Sequence, residues 1–319
     1  MSDPAMKQFE QEFYRLYGDG AYAAAYDLAT REMGRFPTWA QSSYYNWRMC
    51  AACLMGQPEL ALALFAEALA AGHWYDEAGL REDADLAALQ GQPEFERLVA
   101  ISLERREHAR ARAKPELRVF EPRGGEPPYP LLLALHGNHS NLAESAERWR
   151  SAADQGWLVA APQSAQPMSA GTFGWNDREW AVRELGQHYA ALRERYPIDL
   201  DRVVTAGFSM GGGLAAWLAL SGTIPARGFV GVNAYLADPR GLVPLLEARG
   251  GAGMRTFLVA SQRDEACYKI AQQLADLLPA HGVACRLELH PDLGHDFPPE
   301  FERSLRPALR YILGEPEQT

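Results

Sequence analysis

The sequence lacks the long apolar segments that mark a membrane protein. No window of the 319 residues approaches the roughly 20 apolar residues that a spanning helix needs. The first residues, MSDPAMKQFEQEF, are polar and charged, without the basic start and apolar stretch of a secretory signal peptide. Basic residues are outnumbered by acidic ones, 31 Lys and Arg against 41 Asp and Glu, and the net charge of −10 argues against nucleic acid or an anionic membrane as the main partner. We therefore expect a cytoplasmic protein.

Cysteine is rare as well, with four residues in the chain: Cys50, Cys53, Cys267 and Cys285. The first two form a C-x-x-C, but they lie in the helical run NWRMCAACLMG with no strand before it. A redox motif of this kind would be expected next to a strand. We interpret Cys50 and Cys53 as small buried apolar residues rather than as a redox or metal pair. The sequence predicts no cofactor and no metal ion.

The composition of the chain changes near residues 113–115. Before this point Ala, Leu, Glu and Arg dominate and β-branched residues are scarce, which is typical of helices. After it, helical stretches alternate with apolar runs, namely PLLLALHG, WLVAAPQ, RVVTAGFS, GFVGVNAYL and RTFLVAS. Such alternation predicts an α/β fold with a mainly parallel sheet and helices on its faces. We predict two domains, an all-α domain at 1–113 and an α/β domain at 114–319.

The helical half contains a weak internal repeat. Turn signals at Gly18-Asp19-Gly20 and at Gly56-Gln57-Pro58 each precede an alanine-rich helical stretch. Each unit is predicted to form a helix, a tight turn and a second helix. This arrangement resembles the tetratricopeptide repeat, although the usual period of that repeat, about 34 residues, is shorter than the spacing from Gly18 to Gly56. The resemblance implies either a face that binds a peptide or protein partner, or a helical appendage that packs on the second domain.

One motif in the second half has the features of a catalytic nucleophile. GFSMG, at residues 207–211, fits G-x-S-x-G and lies between a β-branched run and the helical stretch MGGGLAAWLAL. In that setting the pattern predicts a sharp turn that exposes the hydroxyl of Ser209, with glycines where strand and helix approach each other. A phosphate-binding loop would instead need G-x-x-x-x-G-K-[ST], and no lysine follows. We therefore predict that Ser209 is a nucleophile.

A serine nucleophile needs a base, and the base needs a carboxylate that orients it. Of the eight histidines, we favour His295, in the loop before the final helix, over His290, which ends the last predicted strand. Asp264 follows the strand RTFLVAS, and we favour it over the adjacent Glu265. The chain order Ser209, Asp264, His295 is the order expected of an α/β-hydrolase triad.

The tetrahedral intermediate of acyl transfer carries an oxyanion that backbone N–H groups must stabilise. We predict Met210 as one donor, because it follows the nucleophile and begins a helix whose dipole favours negative charge. The loop LHGNHSN follows an early predicted strand. We predict that this loop supplies the second donor, the main-chain N–H of Asn138.

The stretch from about residue 130 to residue 313 resembles the α/β-hydrolase serine esterases, especially the phospholipase/carboxylesterase group. The segments that carry the resemblance are LHGNHS, GWNDREWAVREL, YPIDLDRVVTAGFSMGGGLAAWLAL, the Asp264 loop and LGHDF. The resemblance implies an enzyme without a cofactor that hydrolyses a small-molecule acyl ester through an acyl-enzyme intermediate. The sequence departs from the family after Asp264, where EACYK replaces the proline-bearing, small-residue stretch of many members.

Two further interpretations stay open. A serine peptidase or a thioesterase would use the same triad on an amide or a thioester. The non-enzymatic alternative is a peptide-binding helical module fused to an inactive hydrolase-like domain. A missing triad member would mark that alternative, and none is missing.

Overall fold

The computed structural model describes residues 4–250 and 253–316 of the chain. Its Cα positions separate into two units, described in turn below. One unit comprises Met1–Ala113 together with Pro167–Phe173, and the other comprises Lys114–Gln166 together with Gly174–Thr319. We call the first the helical unit and the second the α/β unit.

The helical unit is built from alanine- and leucine-rich segments that favour helix. Its α-helices are α1 Pro4–Gly18, α2 Tyr22–Glu32, α3 Thr38–Leu54, α4 Pro58–Ala70, α5 Glu77–Arg81 and α6 Pro93–Arg112. Two 3-10 helices, Met33–Arg35 and Ala84–Leu89, lie between them, and an antiparallel hairpin is formed by Pro167–Ser169 and Thr172–Phe173. The sequence analysis did not predict this hairpin, which comes from the second half of the chain.

Successive helices of this unit are neighbours: α1 packs on α2, α2 on α3 and α3 on α4. The turns within the first and third pairs contain Gly20 and Gly56, whose φ angles of +74° and +71° lie in the left-handed region that favours glycine. Phe13 of α1 stacks on Trp47 of α3 with ring centroids 4.5 Å apart, and Phe13 is buried. The predicted helix–turn–helix units are therefore present, and their likeness to tetratricopeptide repeats stays a prediction.

The α/β unit contains a seven-stranded sheet flanked by helices. Its strands are β1 Glu116–Phe120, β2 Tyr129–Leu135, β3 Leu158–Gln163, β4 Ile198–Phe208, β5 Gly228–Val232, β6 Arg255–Ser261 and β7 Ala284–His290. Its α-helices are α7 Leu142–Trp149, α8 Arg178–Arg195, α9 Met210–Ser221, α10 Val243–Arg249, α11 Glu265–Ala280 and α12 Phe301–Leu313. The strand order is β1-β3-β2-β4-β5-β6-β7.

Every pairing in this sheet is parallel except that of β1 with β3. The mainly parallel sheet predicted from the sequence is therefore confirmed. β1 was not predicted, because this antiparallel edge strand is only partly buried and has no continuous apolar run.

The sheet is covered by helices on both faces. Leu131 and Leu133 of β2 belong to one core cluster, which also includes residues of helices α8, α9 and α11. Leu132 and Ala134, which point the opposite way, belong to a second cluster with residues of α7 and α12. In the described part of the chain, no helix combines the length and apolar character needed to cross a bilayer.

Candidate active site

Ser209 lies on the turn between β4 and α9, at the carboxyl end of a central strand. Its φ of +52° and ψ of −124° are a conformation that non-glycine residues rarely adopt. Backbone hydrogen bonds hold this strained turn: Ser209 N–H donates to the Val232 carbonyl at 3.0 Å, and the Ser209 carbonyl accepts from Tyr235 N–H at 2.9 Å. Strain of this kind is common at functional sites.

Two glycines of the motif are required by close packing. A Cβ atom on Gly207 would lie 2.3 Å from the carbonyl of Gly211, and a Cβ on Gly211 would lie 2.2 Å from the His136 carbonyl oxygen. Any side chain at either position would therefore push α9 away from the strands beneath it. This is the close approach of strand and helix that the motif predicts.

Asp264 and His295 follow β6 and β7, whose carboxyl ends lie at the same edge of the sheet as that of β4. His295 Nε2 is 3.0 Å from Ser209 Oγ, and His295 Nδ1 is 2.5 Å from Asp264 Oδ2. A proton on Nδ1 donates to the carboxylate and leaves Nε2 as the acceptor for the serine hydroxyl. Asp264 also caps α11, with Oδ1 accepting from Cys267 N–H at 3.3 Å. The three side chains thus form a continuous hydrogen-bonded chain.

The electrostatic surroundings of Asp264 favour its charged form. Burial opposes ionisation, but the hydrogen bond and charge of His295, together with hydrogen bonds from Cys267, outweigh burial and hold the pKa of Asp264 below its usual value. The carboxylate is therefore negative at neutral pH and can stabilise an imidazolium at His295.

The alternative residues from the sequence analysis have other partners. His290 Nε2 contacts Glu288 Oε1 at 2.7 Å. Glu265 forms an exposed ion pair with Lys269 at 3.8 Å. Among the contacts of the described residues, no hydrogen bond joins His290 to Ser209 or Glu265 to His295. The structure therefore brings together the preferred base and acid and not their competitors.

The loop after β2 passes beside Ser209. A Cβ atom on Gly137 would lie 3.4 Å from Ser209 Cβ. The side chain of the next residue, Asn138, is engaged elsewhere: Oδ1 accepts from Trp175 N–H at 2.9 Å, and Nδ2 donates to Asn176 Oδ1 at 2.7 Å. These contacts orient Asn138 through its amide and leave its main-chain N–H as the predicted oxyanion donor. Met210, the other predicted donor, is the first residue of α9.

His136 has a structural position under this loop. Its Nδ1 lies 2.7 Å from the Gly137 carbonyl oxygen, and its Nε2 accepts from Ser164 N–H at 3.2 Å. Complete burial lowers the pKa of His136 to about 4, despite the hydrogen bond to Gly137. A neutral imidazole with both nitrogen atoms paired holds the loop in place, and Trp175 Nε1 adds a 2.8 Å hydrogen bond to the His136 carbonyl.

Two residues near the site were missed by sequence reasoning. Asn233 is fully buried, and its Nδ2 donates both to Ser261 Oγ at 2.9 Å and to the carbonyl oxygen of Asp296 at 2.8 Å. It therefore ties the ends of β5 and β6 to the loop that carries His295. Cys267 Sγ lies 3.8 Å from His295 Nδ1. Burial and the charge of Asp264 raise the pKa of the Cys267 thiol, which is neutral at pH 7.

Comparisons with solved structures agree with this architecture. An uncharacterized protein from Bacillus cereus ATCC 10987 is 26% identical, and its crystal structure matches with a TM-score of 0.54 over 96% of this chain and 97% of that one. The crystal structure of esterase PE8 is 19% identical, with a TM-score of 0.51 over 62% of this chain and 99% of that one. These likenesses confirm the predicted fold class.

Comparisons of sequence concern shorter segments. Residues 6–110 match the family model described as "A/B hydrolase-like, N-terminal domain". The bifunctional acetylxylan esterase/xylanase XynS20E of Neocallimastix patriciarum is 35% identical over 101 residues, which are 30% of this chain and 14% of that protein. The chain thus spans a small part of this curated relative. The family model matches the N-terminal part of the chain alone, and neither match covers enough of this chain or of the relative to assign an activity.

Proposed function

We propose that this chain, an α/β hydrolase by fold with the N-terminal domain of A/B hydrolase-like proteins, hydrolyses a carboxylic ester through a Ser209–His295–Asp264 triad. One observation carries the proposal: the hydrogen-bonded chain from Asp264 Oδ2 through His295 to Ser209 Oγ, with distances of 2.5 Å and 3.0 Å. This is the geometry of an activated serine nucleophile.

In the acylation step, Ser209 Oγ attacks the carbonyl carbon of the ester while its proton passes to His295 Nε2. Asp264 keeps the Nδ1–H tautomer and stabilises the imidazolium that forms. The intermediate then collapses: the bond from carbon to the leaving-group oxygen breaks, and the imidazolium proton passes to that oxygen. The alcohol leaves and an acyl-Ser209 ester stays.

Deacylation repeats these steps with water. His295 takes a proton from the water while the water oxygen attacks the acyl carbon. His295 then gives this proton to Ser209 Oγ as the bond from the acyl carbon to Ser209 breaks and the carboxylic acid departs. In both steps the main-chain N–H groups of Met210 and Asn138 are the proposed donors to the oxyanion. The closeness of Gly137 to Ser209 supports the second donor, because the absent side chain lets this loop approach the nucleophile.

A thioesterase or a serine peptidase would use the same residues, so the acyl bond must be identified by experiment. We favour an oxygen ester, because the curated relative is described as an esterase. A panel of matched acetyl and longer acyl substrates, each as ester, thioester and aminoacyl amide, discriminates the three. Acetylated xylan belongs in the panel because of that relative. An oxygen ester should have the highest kcat/KM, and a preference for an amide would overturn the assignment.

The direct test of the nucleophile is labelling with a fluorophosphonate probe, which forms a covalent bond to an activated serine. Wild type should be labelled at Ser209, as read by mass spectrometry of the labelled peptide. Ser209→Ala is the matched control and should not be labelled. Labelling at another residue, or no labelling of the folded protein, would contradict the proposal.

Two further proposals, both from the sequence, concern a binding partner and the location in the cell. We propose a peptide or protein partner for the helical unit and a cytoplasmic location. Binding of the full chain to a peptide array tests the first, and cell fractionation tests the second. An array without a bound peptide, or recovery of the protein outside the cytoplasmic fraction, would overturn the respective proposal.

A further inference from the structure

The α/β unit contains a cavity with a mostly cationic lining, formed by residues that the proposed reaction does not use. The cavity has a volume of about 690 Å³ and lies beside β6, β7 and α12. We call it the arginine cavity. Its charged and aromatic lining residues are Arg255, Arg286, Arg306, Arg310, Tyr311 and Glu315. Four arginines against one glutamate give a local excess of positive charge, although the chain as a whole has a net charge of −10.

The fold brings these arginines together from two strands and one helix. Arg286 of β7 pairs in register with Phe257 of β6, and Arg255 lies two positions before Phe257. The three side chains therefore point to the same face of the sheet. Phe257 shares a core cluster with residues of α12, so this is the face that α12 covers. Arg306 and Arg310 lie four positions apart on α12, and hence on one face of that helix.

Tyr311 holds two of the guanidinium groups in place. The guanidinium carbon atoms of Arg255 and Arg286 lie 5.6 Å and 4.6 Å from the centroid of the Tyr311 ring, within the range of cation–π contacts. Arg255 Nη1 also donates to the Tyr311 carbonyl at 3.2 Å. These contacts fix both side chains at the cavity wall, so less conformational entropy is lost when they bind an anion.

The carboxylate of Glu315 does not balance the positive charge of the cavity. Its Oε1 is 3.1 Å from Nη2 of Arg202, which is not a lining residue, and its Oε2 is 3.8 Å from Arg310 Nε. Arg310 Nε is buried and has no hydrogen-bond partner among the described residues. Arg310 Nη2 donates to the carbonyl of Pro316, which is uncharged. One carboxylate is thus shared between two arginines, and the lining keeps a surplus of positive charge that an anion would neutralise.

We propose that the arginine cavity binds a small molecule that bears a phosphate group. A guanidinium group can form two parallel N–H···O bonds to phosphate oxygens. A phosphate group has more charge and more acceptor oxygens than a single carboxylate, so it can contact several of these arginines at once. Small-molecule sites usually measure about 300–1,000 Å³, so a cavity of about 690 Å³ is large enough for an organic phosphate.

This site is separate from Ser209, Asp264 and His295. Arg255 is the first residue of β6, whereas Asp264 follows the last. β6 has seven residues, so its two ends are roughly 20 Å apart at about 3.3 Å per residue. A small molecule in the arginine cavity therefore does not reach the triad, and the proposal does not depend on the proposed esterase activity.

Isothermal titration calorimetry of the full-length chain with inorganic pyrophosphate tests the proposal. Wild type should bind one equivalent, and the affinity should fall as sodium chloride is added, because salt screens exposed charges. Arg286→Gln and Arg306→Gln should each weaken binding by roughly 10-fold or more, the usual effect of losing a hydrogen bond to a charged group. A thermal melt shows that each variant is folded.

Arg303→Gln is the matched control. It removes the same charge from α12, but Arg303 forms an exposed ion pair with Glu300 and does not line the cavity. Its affinity for pyrophosphate should equal that of wild type. Absence of binding to wild type at millimolar pyrophosphate, or an equal loss of affinity in Arg303→Gln and Arg306→Gln, would overturn the proposal.

Glu315→Gln provides a test in the opposite direction. It removes the carboxylate of the described lining, so pyrophosphate should bind roughly two- to five-fold more tightly, the size expected of an exposed charge pair. No gain of affinity in this variant would contradict the site.

Two other ligands test the chemical class. Citrate should bind more weakly than pyrophosphate, and tighter binding of citrate would assign the cavity to a polycarboxylate. Vesicles of phosphatidylcholine with phosphatidic acid should not sediment the protein. Sedimentation that is lost in Arg306→Gln would assign the cavity to a lipid headgroup and overturn the small-molecule proposal.

Discussion

The two units each bury a cysteine against a carboxylate, but they differ in what balances the negative charge. In the α/β unit, Cys267 lies beside Asp264, whose carboxylate is paired with His295. In the helical unit, Cys50 lies beside Asp83, and no basic side chain of the described residues pairs with that carboxylate. A carboxylate with an imidazole beside it can support proton transfer, whereas Asp83 accepts hydrogen bonds from the Cys50 thiol and from a main-chain N–H.

The largest expected effect is a loss of activity caused by a substitution in the α/β unit. Ser209→Ala removes the proposed nucleophile, so kcat/KM for an ester should fall by roughly 10³-fold or more, because the members of a catalytic triad act as a unit. Fluorophosphonate labelling should disappear, while a thermal melt should show that the variant is folded. Undiminished turnover in this variant would remove Ser209 from the mechanism.

A similar loss is expected from the base. His295→Ala should also lower kcat/KM by roughly 10³-fold or more, because no other described side chain accepts the proton of Ser209. The matched control is His290→Ala, since His290 pairs with Glu288 and should leave most of the activity. The measurement is kcat/KM of both variants on one ester. A larger loss in His290→Ala than in His295→Ala would assign the base to His290.

A smaller loss is expected at Asn138, the proposed second oxyanion donor. Asn138→Ala keeps the main-chain N–H and should change kcat modestly, although it removes the contacts to Trp175 and Asn176. Asn138→Pro removes the N–H and should lower kcat by roughly 10²–10³-fold.

Proline also fixes φ near −65°, so a thermal melt must show that Asn138→Pro is folded. An equal loss in two folded variants would assign the role to the side chain of Asn138. Unchanged kcat in both would move the second donor along the loop, with His139 the next residue to test.

The smallest expected effect is a loss of stability in acid caused by His136. Its unfolded pKa is 6.5 and burial lowers the folded pKa to about 4. Between these two pH values, His136 is protonated in the unfolded chain and neutral in the folded chain. The stability of the fold is therefore complete above pH 6.5 and is lost as the pH falls towards about 4. The full loss is about 3 kcal/mol at 1.36 kcal/mol for each pKa unit.

Urea unfolding of wild type and His136→Asn at several pH values between these limits measures this loss. Burial also lowers the pKa of His73 and His188, which act in the same sense, so the difference between the two proteins is the quantity to follow. The free-energy difference between them should shrink as the pH falls. A constant difference would show that His136 does not titrate as the structure implies.

Much of the fold and the meeting of Ser209, Asp264 and His295 could be predicted because both depend on parallel strands. Carboxyl ends of parallel strands meet at one edge of a sheet, so residues directly after β4, β6 and β7 become neighbours although Ser209 and His295 are 86 positions apart. Asn233 could not be predicted to support this site. Its partners are 28 and 63 positions away, and no local pattern specifies such cross-strand hydrogen bonds.

The sequence by itself determined the kinds of helices and strands and the turn that presents Ser209, because periodicity, β-branched runs and glycine placement act over a few neighbouring residues. Only the tertiary structure decided that His295 and not His290 contacts Ser209, and that Cys50 meets Asp83 across 33 positions. Those outcomes depend on how loops at the strand ends and faces of separate helices pack together. Packing depends on residues that are distant in sequence, so no short segment specifies it.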